Sequence, residues 1–249
     1  VRQSKLDFAI AAFLLLAAAG LFLQTAGFDF VNYDDDQYVF NNPIVMQGLT
    51  WSGVRHAFTQ VTASNWHPVT MLSHMLDVEF FGVTPRGPHI VNTLLHAVNA
   101  ALLFVALLLL TGARWPAAAC AVLFAWHPLR VESVAWISER KDLLSGLFFM
   151  LSLIAYQRYV VLPARRRYVL LLVTLLLGLM SKPMLVTVPF LFLVLDVCPL
   201  RRLDRLRWDS LRPLIVEKLP MFVLVIAVSA ITVAAQRSSR SVAGLSVIP

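Results

Sequence analysis

The sequence predicts an all-α polytopic membrane protein, and three observations lead to that prediction. Hydrophobic residues make up 59% of the 249 residues and charged residues only 14%, whereas soluble domains are nearer half apolar and a quarter charged. Uncharged apolar runs recur along the chain, and most arginines cluster between them. The net charge of +7 therefore indicates a positive-inside topology and not binding to nucleic acid. Cys120 and Cys198 lie in or beside apolar runs and predict neither a disulfide framework nor a metal site.

The first transmembrane helix is predicted over residues 6–26. Residues 8–23 carry no charge, and Arg2 and Lys5 precede them, which predicts a cytoplasmic N-terminus. A signal peptide has a similar pattern, but this run is longer than its usual apolar region and no clean small-residue cleavage site follows.

Residues 27–88 are predicted to form a long external loop. Its most unusual stretch is 32–36, Asn-Tyr-Asp-Asp-Asp, which places three consecutive carboxylates close to the membrane. A helix is predicted over 67–77, because Pro68 suits a first helical turn. We expect it to lie in the membrane interface with its polar face toward solvent. That face consists of His67, Thr70, His74 and Asp77.

Three further spans are predicted over 89–111, 115–127 and 143–161. A polar stripe enters the first of them, and it should face protein or water because lipid cannot satisfy polar groups. The stripe consists of His89, Asn92, His96 and Asn99. A charged segment, 127–142, precedes the last of the three, and helical spacing would place Glu132, Trp136 and Arg140 on one side.

Residues 168–199 predict two short helices with a break at Lys182, because the proline that follows cannot continue a helix. They could cross the membrane or form a re-entrant pair. A basic cluster over 201–218, which includes Arg205, precedes a final span over 219–235. The excess of basic residues on one side favours seven crossings.

This topology gathers the polar clusters 32–36, 65–96 and 127–142 on one external face, with Lys182 beside them. Adjacent aspartates repel each other, so one can act as a base, and they can also bind a divalent cation. Lysine and arginine are the usual partners of phosphate. Three plainer interpretations stay open: a turn at 32–36, structural ion pairs in 127–142, and a snorkelling Lys182.

Six short motifs, taken in order, resemble the membrane part of the transmembrane and tetratricopeptide-repeat-containing O-mannosyltransferases, and particularly their bacterial relatives. The motifs lie at 32–35, 66–70, 127–135, 139–144 and 181–183, together with His89-x-x-Asn92-x-x-x-His96. The resemblance extends over about residues 25–249. It implies a GT-C-type glycosyltransferase fold of about seven transmembrane helices with external interfacial helices.

The resemblance further implies transfer of a sugar, mannose by analogy, from a polyprenyl-phosphate donor to a protein hydroxyl on the extracytoplasmic face. Asp34 and Asp35 match the acidic motif and are the expected catalytic residues, with a divalent cation as an alternative at this pair. The expected substrate-binding residues are Asp36, Trp66, His67, His89, Asn92, Arg130, Glu132, Arg140, Lys141 and Lys182. The expected partners are the lipid-linked donor, the acceptor protein and the membrane, and no nucleic acid is expected. The expected location is a bacterial inner membrane, with the active face toward the periplasm.

Residues 1–249 are thus interpreted as one transmembrane domain, a fragment, since no 34-residue helical repeat is present in it. Two other functions stay open. The domain could anchor a repeat domain as a non-catalytic scaffold. Alternatively, the polar stripe formed by Asn92, His96 and Asn99 could belong to a transporter.

Overall fold

The computed structural model describes residues 4–203 and 207–238, and within these ranges the chain is helical, with no β-strand. The all-α prediction is confirmed. Arg2 and Arg205, and parts of the predicted 1–249 domain, lie outside the described residues. The α-helices are α1 Lys5–Phe22, α2 Trp51–Thr59, α3 Pro68–Phe81, α4 Arg86–Thr111, α5 Arg114–Trp126, α6 Arg130–Ala135, α7 Arg140–Val161, α8 Arg165–Ser181, α9 Val188–Val197 and α10 Trp208–Ser238. Short 3-10 turns occupy Leu23–Gly27, Val45–Gln47, Ile137–Glu139 and Pro183–Thr187, and Asp36–Phe40 forms a π-helical turn.

The start of α1 is fixed by a capping box in which Ser4 accepts a hydrogen bond from the Asp7 amide and Asp7 accepts one from the Ser4 amide. The same carboxylate pairs with Arg114 at 2.5 Å, at the start of α5. Gly112 connects α4 to α5 in the left-handed conformation, φ 71°, which glycine adopts without steric cost. The ends of α1, α4 and α5 are thereby tied together.

Four helical segments are long and apolar enough to cross a membrane: Lys5–Gly27, Arg86–Thr111, Ile137–Val161 and Trp208–Arg237. These include the predicted first, second, fourth and last spans. By contrast, α5 has 13 residues and α9 has 10, which gives lengths of only about 20 and 15 Å against a hydrocarbon core of roughly 30 Å. Seven crossings stay a prediction.

The helices pack around α4 and α7. Where α1, α4 and α5 meet, alanines replace large side chains and let the backbones approach closely: Ala18, Ala97, Ala100 and Ala125 are all fully buried. Larger side chains fill the space between α7, α8, α9 and α10, with Tyr156 stacked on Phe192 at 4.2 Å between ring centroids. This packing holds α7 between the group formed by α1, α4 and α5 and the group formed by α8, α9 and α10.

The predicted break at Lys182 is confirmed, because α8 ends at Ser181 and a 3-10 turn begins at Pro183. The carbonyl of Ser181 accepts a hydrogen bond from the Thr70 hydroxyl at 3.0 Å, so the break is anchored to α3. The last helix begins earlier than the predicted position 219 and contains Pro213 and Pro220.

Two local predictions were wrong. The polar face of α3 does not point to solvent: Thr70 and His74 are fully buried, whereas Phe80 on the opposite face is 75% exposed. In addition, Glu132 and Arg140 do not share a helix face, because α6 ends at Ala135 and α7 begins only at Arg140. In both places tertiary packing decided the outcome, and local periodicity could not predict it.

Candidate functional site

The acidic turn 32–36 separates its aspartates into different environments. Asp35 is fully buried, and its Oδ1 accepts hydrogen bonds from the Ser138 amide at 2.9 Å and the Ser138 hydroxyl at 2.5 Å. Its Oδ2 accepts a hydrogen bond from the Val31 amide at 2.9 Å. Asp35 therefore joins the loop to the turn that precedes α7, and its oxygens are already occupied.

The neighbouring Asp34 and Asp36 are partly exposed. Neither carboxylate makes a hydrogen bond or an ion pair with another described residue. Asp34 lies close enough to Tyr38 for its negative charge to act on the phenol: burial raises the pKa of Tyr38 well above its usual value, and the Asp34 charge raises it further. The turn thus presents Asp34 as a free carboxylate beside a buried tyrosine.

Arg140 is the centre of a buried polar hub. Its guanidinium donates to Ser73 Oγ at 2.8 Å, to Asp77 Oδ2 at 2.6 Å and to the carbonyl of Pro88 at 2.9 Å, and its Nε contacts Asn92 Oδ1. Arg140 is completely buried. It ties α7 to α3 and α4.

Arg140 as a substrate-binding residue stays a prediction; in this structure its guanidinium is buried and occupied by these protein partners. Asn92 is also fully buried, and its amide donates to the carbonyls of Val134 and Trp136 at 3.3 and 3.2 Å. Both side chains thus join the helices around the site through hydrogen bonds within the protein.

Two lysines form the cationic side of the site. Lys141 pairs with Glu139 at 2.9 Å, and Lys182 pairs with the other oxygen of Glu139 at 3.3 Å. Lys182 also contacts Asp142, whose second oxygen accepts a hydrogen bond from Ser133 at 3.2 Å. The break after α8 thereby brings Lys182 to the start of α7.

Aromatic rings surround Lys141. Its Nζ lies 5.2 Å from the ring centroid of Tyr38 and 5.8 Å from that of Trp136. Tyr33, which is exposed, packs against Trp136 with centroids 5.6 Å apart. The acidic turn and the lysine pairs are therefore in contact through aromatic side chains.

His67 lies near both lysines but is uncharged. Burial lowers the pKa of His67 to about 3, and the positive charges of Lys141 and Lys182 lower it further. Burial similarly holds the pKa of His74 well below its ordinary value. Neither histidine would serve as a cation at neutral pH.

The other candidate residues lie around this centre or outside it. Trp66 is half-buried and donates to the Phe58 carbonyl at 3.0 Å. His89 is buried at the edge of the loop, against Phe28. Arg130 lies over the Phe124 ring at 4.7 Å, and the Glu132 side chain is exposed. The structure does not place Arg130 or Glu132 in contact with the lysines or the acidic turn.

A divalent cation at Asp34 and Asp35 does not fit these surroundings, because both oxygens of Asp35 already accept hydrogen bonds. Among the described residues, no group of three His, Cys, Asp or Glu side chains is arranged to hold a metal ion. We derive no step through a metal.

Several residues in the site were not predicted as functional. Ser138 and Tyr38 carry no sequence signal, because hydroxyl residues are common in loops and turns. A second charged network, between α9 and α10, was also missed: Asp196 and Lys218 are both fully buried and pair at 2.6 Å. Arg202 bridges Asp196 and Glu217 at 3.1 and 2.8 Å. Charges inside apolar runs were the signal that could have indicated this network.

These features define an all-α membrane protein in which a carboxylate turn lies near a pair of buried or half-buried lysines. The chain is 36% identical over 158 residues to protein O-mannosyl-transferase tmtc2 of Xenopus laevis, a match that covers 59% of this chain and 18% of the relative. It is 34% identical over 167 residues to Tmtc2 of Drosophila melanogaster, covering 64% and 18%. It is 33% identical over 158 residues to human TMTC2, covering 59% and 18%.

The matched region is therefore similar to the TMTC protein O-mannosyl-transferases. The chain spans about a fifth of the length of these curated relatives. No family model matches the chain, and no solved structure matches it.

Proposed function

We propose that this chain is the catalytic membrane part of a GT-C-type glycosyltransferase, which transfers mannose from a polyprenyl-phosphate donor to a hydroxyl group of a protein. One observation carries the proposal: the free carboxylate of Asp34 is close enough to act electrostatically on Tyr38, whose ring lies against Lys141. The names of the relatives support the sugar and the acceptor class.

Asp34 is the proposed general base, and Asp35 is a positioning residue. A base must be open to the acceptor and must keep an oxygen free for the proton. Asp34 meets both conditions, because it is partly exposed and unpaired, whereas the oxygens of Asp35 are occupied by Ser138 and Val31. Asp36 is equally exposed, but no contact ties it to the lysines, so it is left as a substrate contact at the rim.

Lys182 and Lys141 are the proposed phosphate contacts. The Lys182 side chain is 23% exposed, and Lys141 is 10% exposed. An ammonium group has three N–H donors. Since Lys141 uses one for Glu139 and Lys182 uses two for its carboxylates, donors remain for phosphate oxygens.

The proposed step is a single displacement at the anomeric carbon. The acceptor oxygen forms the new bond as its proton passes to Asp34, while the bond between the anomeric carbon and the phosphate oxygen breaks with its electron pair. The lipid phosphate leaves next to the lysines, and the anomeric configuration inverts. Stabilising the charge that develops on this leaving group is the contribution of the lysines.

The site is proposed to face the extracytoplasmic side, with the N-terminus of the chain in the cytoplasm. The arginines near residues 158–167 and 201–218 support this orientation, because basic loops remain on the cytoplasmic side. In a bacterium the site would face the periplasm.

A transfer assay with the Asp34→Asn variant tests the proposal. The protein at its full natural length is reconstituted in liposomes with radiolabelled polyprenyl-phosphate mannose and candidate acceptor proteins. Loss of a general base should reduce the rate by about 10²- to 10⁴-fold. Asp29→Asn is the matched control, because Asp29 is exposed in the same loop and its carboxylate accepts a hydrogen bond only from the adjacent Phe30 amide, at 2.9 Å.

Two results would contradict the proposal. Undiminished transfer by folded Asp34→Asn would remove Asp34 as the base. No transfer from any lipid-linked sugar by folded wild-type protein would favour the scaffold alternative instead. A Lys182→Gln variant should bind the donor more weakly, and its affinity for the acceptor should stay unchanged.

A further inference from the structure

A cavity of about 520 Å³ opens where α7 ends and α8 begins, against α4. Three arginines line it, Arg158, Arg166 and Arg167, together with Gln157. No aspartate or glutamate is among the residues that line it. Its size is within the range of small-molecule sites, for which about 300–1,000 Å³ is usual.

The positive charge in this cavity is not neutralised by the protein. Arg158 and Arg166 are exposed, and their side chains make no hydrogen bond or ion pair with other residues in the described part of the chain. Arg167 is held in place, since its Nη1 donates to the carbonyls of Arg158 and Leu162 at 3.0 and 2.9 Å. The cavity thus combines one fixed arginine with two that are free to bind an anion.

Gln157 is a second, independent indication of a ligand. Only 7% of this residue is exposed, and it lines the cavity. Its amide has no hydrogen-bond partner among residues 4–203 and 207–238. The amide is open to the cavity, so beside three arginines it can hydrogen-bond an oxygen-rich ligand.

The remaining lining is apolar and includes Leu109 of α4 and Leu170 of α8. A free phosphate ion would gain nothing from these leucines, whereas an acyl chain would be removed from water by them. Basic pockets between transmembrane helices are a known form of lipid headgroup site.

The cavity is separate from the candidate functional site. Arg140 and Arg158 lie near opposite ends of α7, and their separation of 18 positions corresponds to about 27 Å of helix. The two sites therefore lie in opposite leaflets of the membrane.

We propose that this cavity binds the headgroup phosphate of an anionic phospholipid in the leaflet opposite the acidic turn. The phosphate oxygens accept hydrogen bonds from Arg158, Arg166 and Gln157, and an acyl chain lies along Leu109 and Leu170.

Binding of phosphatidylglycerol to the full chain tests this inference. The detergent-solubilised protein is delipidated and titrated with phosphatidylglycerol or phosphatidylcholine, and bound lipid is counted by native mass spectrometry. The double variant Arg158→Gln/Arg166→Gln should bind phosphatidylglycerol roughly tenfold or more weakly, because each arginine near a membrane surface attracts anionic lipid. Gln157→Leu should weaken binding by a smaller factor.

Arg165→Gln is the matched control, because Arg165 is exposed in the same turn and does not line the cavity. It should retain wild-type affinity and wild-type selectivity over phosphatidylcholine. Equal loss in Arg165→Gln would show a diffuse charge effect and overturn the proposal. Displacement of the lipid by millimolar inorganic phosphate would also overturn it, since that result indicates a free-anion site. Phosphatidylglycerol should raise the Tm of the wild type and leave that of the double variant unchanged, and equal Tm shifts in both proteins would count against the proposal.

Discussion

Replacing Arg140 by methionine should destabilise the protein more than most single substitutions. The variant removes the guanidinium that donates to Ser73, Asp77 and the Pro88 carbonyl. Asp77, only 4% exposed, would lose its cationic partner, and burial already raises the pKa of this carboxyl, so it must either stay charged without a partner or take up a proton at a free-energy cost. Stability should therefore fall through the stranded carboxyl and not only through the lost hydrogen bonds.

The expected loss is about 3–5 kcal/mol, the usual cost of removing one partner of a buried ion pair. The origin of the loss can be isolated with Asp77→Asn. In the double variant Arg140→Met/Asp77→Asn the stranded charge is gone, and only unsatisfied neutral groups remain, at about 1–3 kcal/mol. The double variant should then be less destabilised than the sum of the single variants, by roughly 1–3 kcal/mol of coupling.

The measurement is reversible unfolding in mixed micelles, followed by tryptophan fluorescence, for the wild type, both single variants and the double variant. Arg140→Lys is a further control, since a lysine keeps the charge but cannot reproduce the planar fork that contacts several acceptors. The free energy of unfolding of Arg140→Lys should lie between those of the wild type and Arg140→Met. Arg140→Met within about 1 kcal/mol of the wild type, or strictly additive single variants, would refute the description of this hub.

Three further outcomes are expected. Asp35→Asn places an amide N–H against either the Val31 amide or the Ser138 donors. It should lower the free energy of unfolding by about 1–3 kcal/mol in the same assay. Asp36→Asn is a surface change and should lower it by under about 0.5 kcal/mol. The pKa of His67 is about 3 in the folded protein and about 6.5 in the unfolded chain, so the unfolded chain binds more protons between these two pH values. The contribution of His67 to the free energy of unfolding should therefore be fully present above pH 6.5. Below that pH the free energy of unfolding should fall by up to about 1.4 kcal/mol per pH unit. In His67→Gln that slope should be smaller, and an unchanged slope would exclude His67 as its source. Lys218→Met leaves Asp196 with Arg202 as its remaining cation and the Tyr156 hydroxyl as a further donor, and should lower stability by up to about 3–5 kcal/mol, with Lys5→Met as an exposed control.

Local rules predicted the backbone features with local causes. The break at Lys182 was predictable because proline lacks the amide proton that a helix needs. The long apolar spans were predictable because lipid demands length and composition. The number of membrane crossings was not predictable, because α5 and α9 are so short that their length alone does not decide whether they cross the membrane.

The division of roles within the site could not be predicted from the sequence. Asp34 and Asp35 are chemically identical neighbours, yet only Asp35 accepts hydrogen bonds from Ser138, which lies 103 positions away. Arg140 and Lys141 are also adjacent, yet Arg140 points into the hub and Lys141 toward Tyr38. Such differences depend on which helices pack together, and a linear pattern does not contain that information.

The buried pair of Asp196 and Lys218 has a consequence for biogenesis. Asp196 lies in the last turn of α9 and is synthesised before α10, which contains Lys218. Until α10 enters the membrane, Arg202 is the cation available to this carboxylate among its partners in the finished fold. Completion of the bundle is thus coupled to synthesis of its last span, and a chain that stops before α10 should be retained by chaperones and degraded more rapidly in a pulse-chase experiment.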